Sequence, residues 1–308
     1  NVWQTLLGTL RLAQPTLDAS PILSLPVNGL LVGAAGYIPR RGSMVAFETR
    51  QPLRTRRTHG TLHPMNPIVY AIPVFFVLMA LEWAVAHARQ QRVYRLGDTI
   101  ASVGLGAVSQ VSGLYSKAIS FGIYVLVAQH LALFQLPTDA WWVWVTGLIL
   151  YDFLYYWNHR LGHEVALFWA AHVVHHQSED FNLGTALRQS SSGFVAGWIF
   201  YVPMALLGFP PLVFAVVALI DLLYQYWIHT EQIGRLGWFD RVFASPSNHR
   251  VHHGVNERYL DKNYGGILML WDRMFGTFED ERADEPVRYG TRAPVKSWNP
   301  LWINLDTF

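Results

Sequence analysis

Nine of the 13 histidines fall between positions 159 and 253, in short clusters. His159 and His163 stand four apart. His172, His175 and His176 follow as HVVHH, and His249, His252 and His253 as HRVHH. His229 stands alone in WIHTE. Residues three and four apart share one face of a helix. Each cluster therefore aims two or three imidazoles in one direction. Neutral imidazole is a ligand for Zn, Cu, Fe and Ni. A closed zinc site takes four ligands, so nine histidines exceed one such site, and the count suits two metals with redox chemistry. Soluble di-iron bundles use Glu-x-x-His pairs, which this chain lacks. A zinc protease is excluded, because His163-Glu164 is followed by Leu167 where a second histidine is needed. His59, His63, His87 and His130 read as structural.

Metal-bound imidazoles are oriented through their other ring nitrogen. Asp152, Asn182, Gln225, Glu231, Asn248 and Asp261 stand near the clusters and are the expected orienting groups. Gln225 lies four residues before His229, on the same helix face.

These clusters need helices to carry them, and the composition says where the helices sit. The chain is 52% hydrophobic and 14% charged, against ~25% charged in an average soluble domain. There is no cysteine, so disulfides, Cys-type zinc sites and thiol nucleophiles are excluded. Residues 68–86, 118–136 and 140–157 are apolar runs near the ~20 residues that span a bilayer. Residues 193–228 read as two helices about a Gly-Phe-Pro-Pro turn, while 98–115 are too rich in Gly and Ser to assign. The chain from about 230 onward is polar and reads as a water-side domain. Arg89, Arg92 and Arg95 follow the first apolar run, which puts that end, and with it the histidines, on the cytoplasmic side.

Residues 1–64 hold seven arginines against Asp18 and Glu48, whereas the rest carries 16 basic and 19 acidic groups. The body has no nucleic-acid footprint. The expectation is an all-α integral membrane helical bundle of about four to five spans with a cytoplasmic His-rich di-metal domain. Residues 65–290 form that unit, 291–308 a C-terminal tail, and 1–64 a segment foreign in composition, with Met65 as the expected natural start.

The strings YYWNHRLGHE (155–164), HVVHHQSEDFNLGTALRQS (172–190), YQYWIHTE (224–231), PSNHRVHHG (246–254) and DKNYGGILMLWDRMFGTFE (261–279) resemble the fatty acid hydroxylase/sterol desaturase superfamily. The likeness is strongest to its alkylglycerol monooxygenase branch and runs from about 68 to 290. It implies a membrane-bound di-iron enzyme that uses O2 to hydroxylate or desaturate a lipid. The eight cluster histidines carry over as ligands, and His229 matches a histidine on the helix before the last cluster. Asn248 stands where that branch has a further histidine. The branch takes electrons from tetrahydrobiopterin, and Glu164 is the implied pterin-side contact. The substrate is expected to enter between the third span and the 193–228 hairpin, past Trp157, Phe168, Trp169, Phe181, Trp198, Tyr224 and Trp227. The alternatives are a desaturase or hydroxylase of sterols, fatty acyl chains or carotenoids on the same centre, and a metal transporter. Transport sites lie near the mid-membrane, whereas these clusters lie at helix ends.

Overall fold

The computed structural model describes residues 67–192 and 197–306. The basic run from Arg40 to Arg57 and the start expected at Met65 lie outside the described residues. Among those described no β-strand forms; one antiparallel bridge pairs Phe243 with Leu268. The described residues are all-α, as expected.

Helix α1 covers Pro67–Ala88 and α2 covers Leu96–His130. These two helices are long and apolar enough to cross a membrane. At 1.5 Å per residue, the 35 residues of α2 extend about 50 Å. Helix α2 corrects the expectation for 98–115 and for a span opening at 118: one helix runs through both. The glycines there are sites of close approach. A side chain at Gly97 would meet the Trp298 ring, and one at Gly104 would meet Pro300 at 2.9 Å. At Gly106 it would meet the Leu187 carbonyl at 2.6 Å.

Helix α3, Trp141–Glu164, continues the third apolar run into the first histidine pair. Val165 alone separates it from α4, Ala166–His176. Val165 is extended, at φ −113° and ψ 120°. Its N–H closes α3 on Leu161, and its carbonyl accepts from Phe168 and Trp169 to open α4. This one-residue corner folds the second cluster back onto the first.

The hairpin is present with unequal arms. Its first arm is a 3₁₀ turn, Gly197–Tyr201, running into α5, Val202–Leu206. Its second is α6, Pro211–Trp227, opened by Pro211 in the first turn. The corner requires Gly208: φ is +85°, and a Cβ there would stand 1.9 Å from the Phe134 carbonyl oxygen. The hairpin packs on α3 through Val143, Tyr151, Leu154, Met204, Phe209 and Val213.

The polar end is built from α7, Phe239–Val242; α8, Pro246–His252; α9, Leu270–Phe275; and α10, Pro300–Leu305. The terminal helix packs back: Ile303 is buried with Ala101, Leu105 and Val174. Arg95 pairs with Asp180 at 2.8 Å, and Arg89 donates to the Gln232 carbonyl at 2.9 Å. The α1–α2 loop therefore lies at the same end as the histidine-bearing segments.

Candidate metal centre

The nine histidines converge as two groups. His159, His163, His172, His176 and His252 form one; His175, His229, His249 and His253 form the other. Within each group the ring nitrogens lie within 4.8 Å of one another. His159 and His163 come from the last turns of α3, and the second cluster from the end of α4. The third lies on and just after α8, and His229 stands two residues beyond α6. Adjacent residues divide between the groups: His175 faces one and His176 the other, as do His253 and His252.

Backbone carbonyls orient four of the nine rings. Nδ1 of His159 lies 2.8 Å from the Tyr264 oxygen, and Nδ1 of His175 lies 3.0 Å from that of Arg188. Nδ1 of His229 lies 2.7 Å from the Gln225 oxygen, and Nδ1 of His252 lies 3.0 Å from that of Lys262. A carbonyl only accepts, so each Nδ1 donates, and each neutral ring presents the Nε2 lone pair to the centre. The Nε2 atoms of His175 and His229 stand 3.1 Å apart, and those of His229 and His249 2.9 Å. In the other group, His159–His172 and His172–His176 are each 3.1 Å, and His176–His252 is 3.2 Å.

For His175 and His229 both tautomers are fixed, so two lone pairs face each other. A cation between them relieves that repulsion. A first-row metal about 2.0–2.1 Å from each nitrogen brings neighbouring ligand atoms to roughly these separations. His163 adds a buried Nε2 with no hydrogen-bond partner among the described residues. Burial, the largest cause, pushes His159 and His175 down to about 4 and the other seven well below the ordinary histidine range. The rings are thus held neutral, the form that ligates metal. The residues fit two metal ions.

The expected orienting groups sit close by: Asp152, Asn182 and Asn248 act mainly on the backbone, Gln225 and Glu231 on other side chains, and Asp261 faces the His163 ring. Asp152 accepts from the N–H of Ile267 at 2.7 Å, from Leu268 at 3.1 Å and from Trp271 Nε1 at 2.8 Å, which ties α3 to the 264–272 segment. Asn248 forms a reciprocal capping box with Ser245 at the start of α8, and so aims the third cluster. Asn182 holds a turn, accepting from Gly184 and Thr185 and donating to the Val93 carbonyl. The Gln225 side chain accepts from Tyr155 OH at 2.7 Å and donates to Asp221 at 2.6 Å; its backbone carbonyl, not its amide, meets His229. Glu231 hydrogen-bonds Tyr289 and faces Arg250. Asp261 lies 3.8 Å from His163 Nδ1. Glu164 pairs with Arg160 at 2.8 Å on the surface. The carbonyls of Tyr264, Arg188 and Lys262 are the orienting groups that side-chain identity does not reveal.

A cavity of about 400 Å³ ends on five of the imidazoles, His159, His172, His175, His229 and His249. Its walls are mostly apolar, from α1, α2, α3 and α6, with Phe75, Phe76, Val103, Ala218, Leu222 and Tyr226 among them. The cavity opens between α3 and the hairpin helix α6, with α1 and α2 as further walls, and a second pocket lined by Phe168 and Asn158 also reaches His159 and His172. The seven aromatics named for the expected route do not line the first cavity: Phe181 stacks on Tyr289, Trp157 packs on Phe275, and Tyr224 bonds the Ala244 carbonyl. The missed acid is Asp221, a buried carboxyl that lines the cavity with Gln225 and Tyr155.

The fatty acid hydroxylase family model matches residues 144–277. Over 267 residues the chain is 42% identical to human alkylglycerol monooxygenase, covering 86% of this chain and 59% of that protein. It is 38% identical to the alkylglycerol monooxygenase of Caenorhabditis elegans, over 69% of this chain and 42% of that protein. The ornithine lipid hydroxylase OlsE of Rhizobium tropici is 30% identical, over 58% of this chain and 52% of that protein. The chain thus spans less than two thirds of the length of these relatives. No solved structure matches it. The segment that carries all nine converging histidines, residues 144–277, is a domain of the fatty acid hydroxylase family.

Proposed function

We propose that this chain is an integral membrane, O2-dependent lipid monooxygenase whose nine histidines hold two iron ions. The observation that carries the reading is an apolar cavity that ends on five of the converging imidazoles. An alkyl C–H bond has no acidity for a side chain to exploit, so the cofactor performs the difficult step. When bound, the iron pair supplies oxygen activation. The chain's own residues do the rest. Phe75, Val103, Ala218 and Leu222 bind the alkyl chain by apolar burial and exclude water from the reacting carbon. Because the cavity ends on five of the imidazoles, these walls place that carbon beside the centre, which converts the encounter into a positioned, effectively unimolecular step.

The substrate we favour is an alkylglycerol, oxidised at the ether-linked carbon, on the strength of the likeness to the alkylglycerol monooxygenases. The reductant expected with it is tetrahydrobiopterin. Four apolar segments enter the bilayer: α1, α2, α3 and the α5–α6 hairpin, which turns at Gly208 and returns. The basic α1–α2 loop, carrying Arg89, Arg92 and Arg95, lies at the histidine end, which supports a cytoplasmic centre.

The test is metal analysis of the detergent-purified chain, with product analysis on an ether lipid under O2. Two irons per chain are expected, with release of a fatty aldehyde, because a hydroxyl on the ether carbon gives a hemiacetal that falls apart. No transition metal overturns the reading. Intact ether lipid with a new hydroxyl or double bond on a sterol or acyl chain moves the substrate to those classes.

A further inference from the structure

The two histidine groups form a wall between two chambers. The apolar cavity touches His159, His172, His175, His229 and His249. A second chamber, of about 440 Å³, touches His163, His176, His252 and His253. The two sets share no histidine and together account for all nine. The second chamber differs in chemistry from the first. Trp169, Gln177, Asp261 and Arg292 line it, with the backbone at Gly254 and Gly290. The Trp169 ring lies 5.1 Å from the His163 ring and 5.7 Å from the His176 ring. Gln177 is 7% exposed, and its buried Oε1 has no hydrogen-bond partner among the described residues. An unsatisfied buried acceptor costs about 1–3 kcal/mol, so a donor from a ligand is the natural partner. The outer wall comes from residues 290–295 and Asp306, beyond the segment matched by the family model.

A monooxygenation needs a second reactant. The C–H bond gives up two electrons in becoming C–OH, and O2 takes up four. A donor must deliver the other two, with two protons, so that the second oxygen leaves as water. A long apolar substrate fills the first chamber, so this donor needs another approach to the metals.

We propose that the second chamber binds this donor, a reduced nitrogen heterocycle. Its ring lies against Trp169, and its N–H groups face Gln177 Oε1 and the Asp261 carboxylate. The inference rests on the monooxygenase reading. It separates the donor and the lipid on opposite faces of one metal pair, so the two bind without competing.

The experiment is anaerobic equilibrium dialysis of tetrahydrobiopterin against the metal-loaded full chain in detergent, with metal content measured on the same samples. Trp169→Leu and Gln177→Leu are each expected to raise its Kd tenfold or more. Arg292→Ala, on the outer wall and away from the histidines, is expected to raise it severalfold. Metal content and alkylglycerol affinity are expected to stay within twofold of the unaltered chain. Saturating alkylglycerol is expected to leave pterin binding unchanged. Unchanged Kd in all three variants, absence of binding, or displacement of the pterin by the lipid overturns the chamber assignment while two metals remain. Fewer than two metals in the unaltered chain overturns the monooxygenase reading, and this inference with it.

Discussion

Nδ1 of His229 donates to the backbone carbonyl of Gln225, 2.7 Å away and four residues earlier in the chain. The last carbonyls of a helix have no partner within the helix, and α6 ends at Trp227. The imidazole therefore satisfies a carbonyl that the helix leaves free, and the helix end fixes its tautomer. The Gln225 amide faces elsewhere, to Tyr155 and Asp221. Gln225→Leu is accordingly expected to keep both metals. His229→Ala leaves three imidazoles in its group and is expected to lose about one metal per chain. Elemental analysis of the two purified variants checks this, and metal loss in Gln225→Leu would return the orienting role to the side chain.

The two groups differ in size, five imidazoles against four. Removing one from the larger leaves four, the number that closes a metal site. His163→Ala is therefore expected to bind both metals, the one in its group more weakly. His175→Ala is expected to lose one outright. Chelator titration followed by mass spectrometry separates the two losses, and equal retention in both variants would count against the five-and-four division.

Asp152 is 1% exposed and accepts from two backbone N–H groups and one indole. Asp152→Ala strands three buried donors, each at a cost of about 1–3 kcal/mol. The expected result is loss of about 3 kcal/mol or more of stability, read as a lower Tm in detergent. Metal binding is expected to survive at low temperature, because Asp152 touches none of the nine rings. A metal-free variant of unchanged Tm would show the opposite division of labour.

The convergence of the histidines was legible because it is written in side-chain identity and spacing. All nine histidines converge, but the second and third clusters each divide between two groups, where a helix-face reading aims each cluster one way; the 193–228 hairpin turns at its Gly-Phe-Pro-Pro signal. Three features were not legible, each for a physical reason. The carbonyls of Tyr264, Arg188 and Lys262 orient rings, but every residue carries a carbonyl. The start of α2 hides behind Gly97, Gly104 and Gly106, which admit Trp298, Pro300 and the Leu187 carbonyl. Composition reads these as helix breakers, and packing overrides that propensity. The cavity is walled by the consecutive helices α1 and α2 together with α3 and α6 from much later in the chain, so no local pattern announces it.

Arg188 supports the second cluster twice. Its carbonyl receives His175 Nδ1. Its guanidinium, almost fully buried, donates to the Val174 carbonyl at 2.8 Å and faces Asp98 at 3.5 Å. Breaking a buried ion pair from one side leaves an uncompensated charge, at a cost of about 3–5 kcal/mol. Arg188→Met and Asp98→Leu are each expected to be strongly destabilised, and the double variant less so than their sum. Chemical denaturation of the four proteins gives the coupling, and additive losses would show that the two charges act independently.

The apolar cavity sets chain length if an alkyl group fills it. Val103 lines the cavity from α2 and packs beside Met79, Leu183 and Tyr226. Enlarging it takes up space that an alkyl chain would otherwise fill. Val103→Trp is expected to keep both metals and to shift the preferred substrate to shorter alkyl chains. A methylene in an apolar pocket is worth about 1–3 kcal/mol, so deletion of a few binding positions is expected to change kcat/KM for long chains by tenfold or more. Turnover of an alkyl-length series by Val103→Trp and the unaltered chain measures this. The informative comparison is the ratio of long to short substrates, since a general loss of activity lowers both alike. An unchanged ratio would mean that the chain lies outside this cavity, and the route to the metals would have to be sought on the side of Asn158 and Phe168.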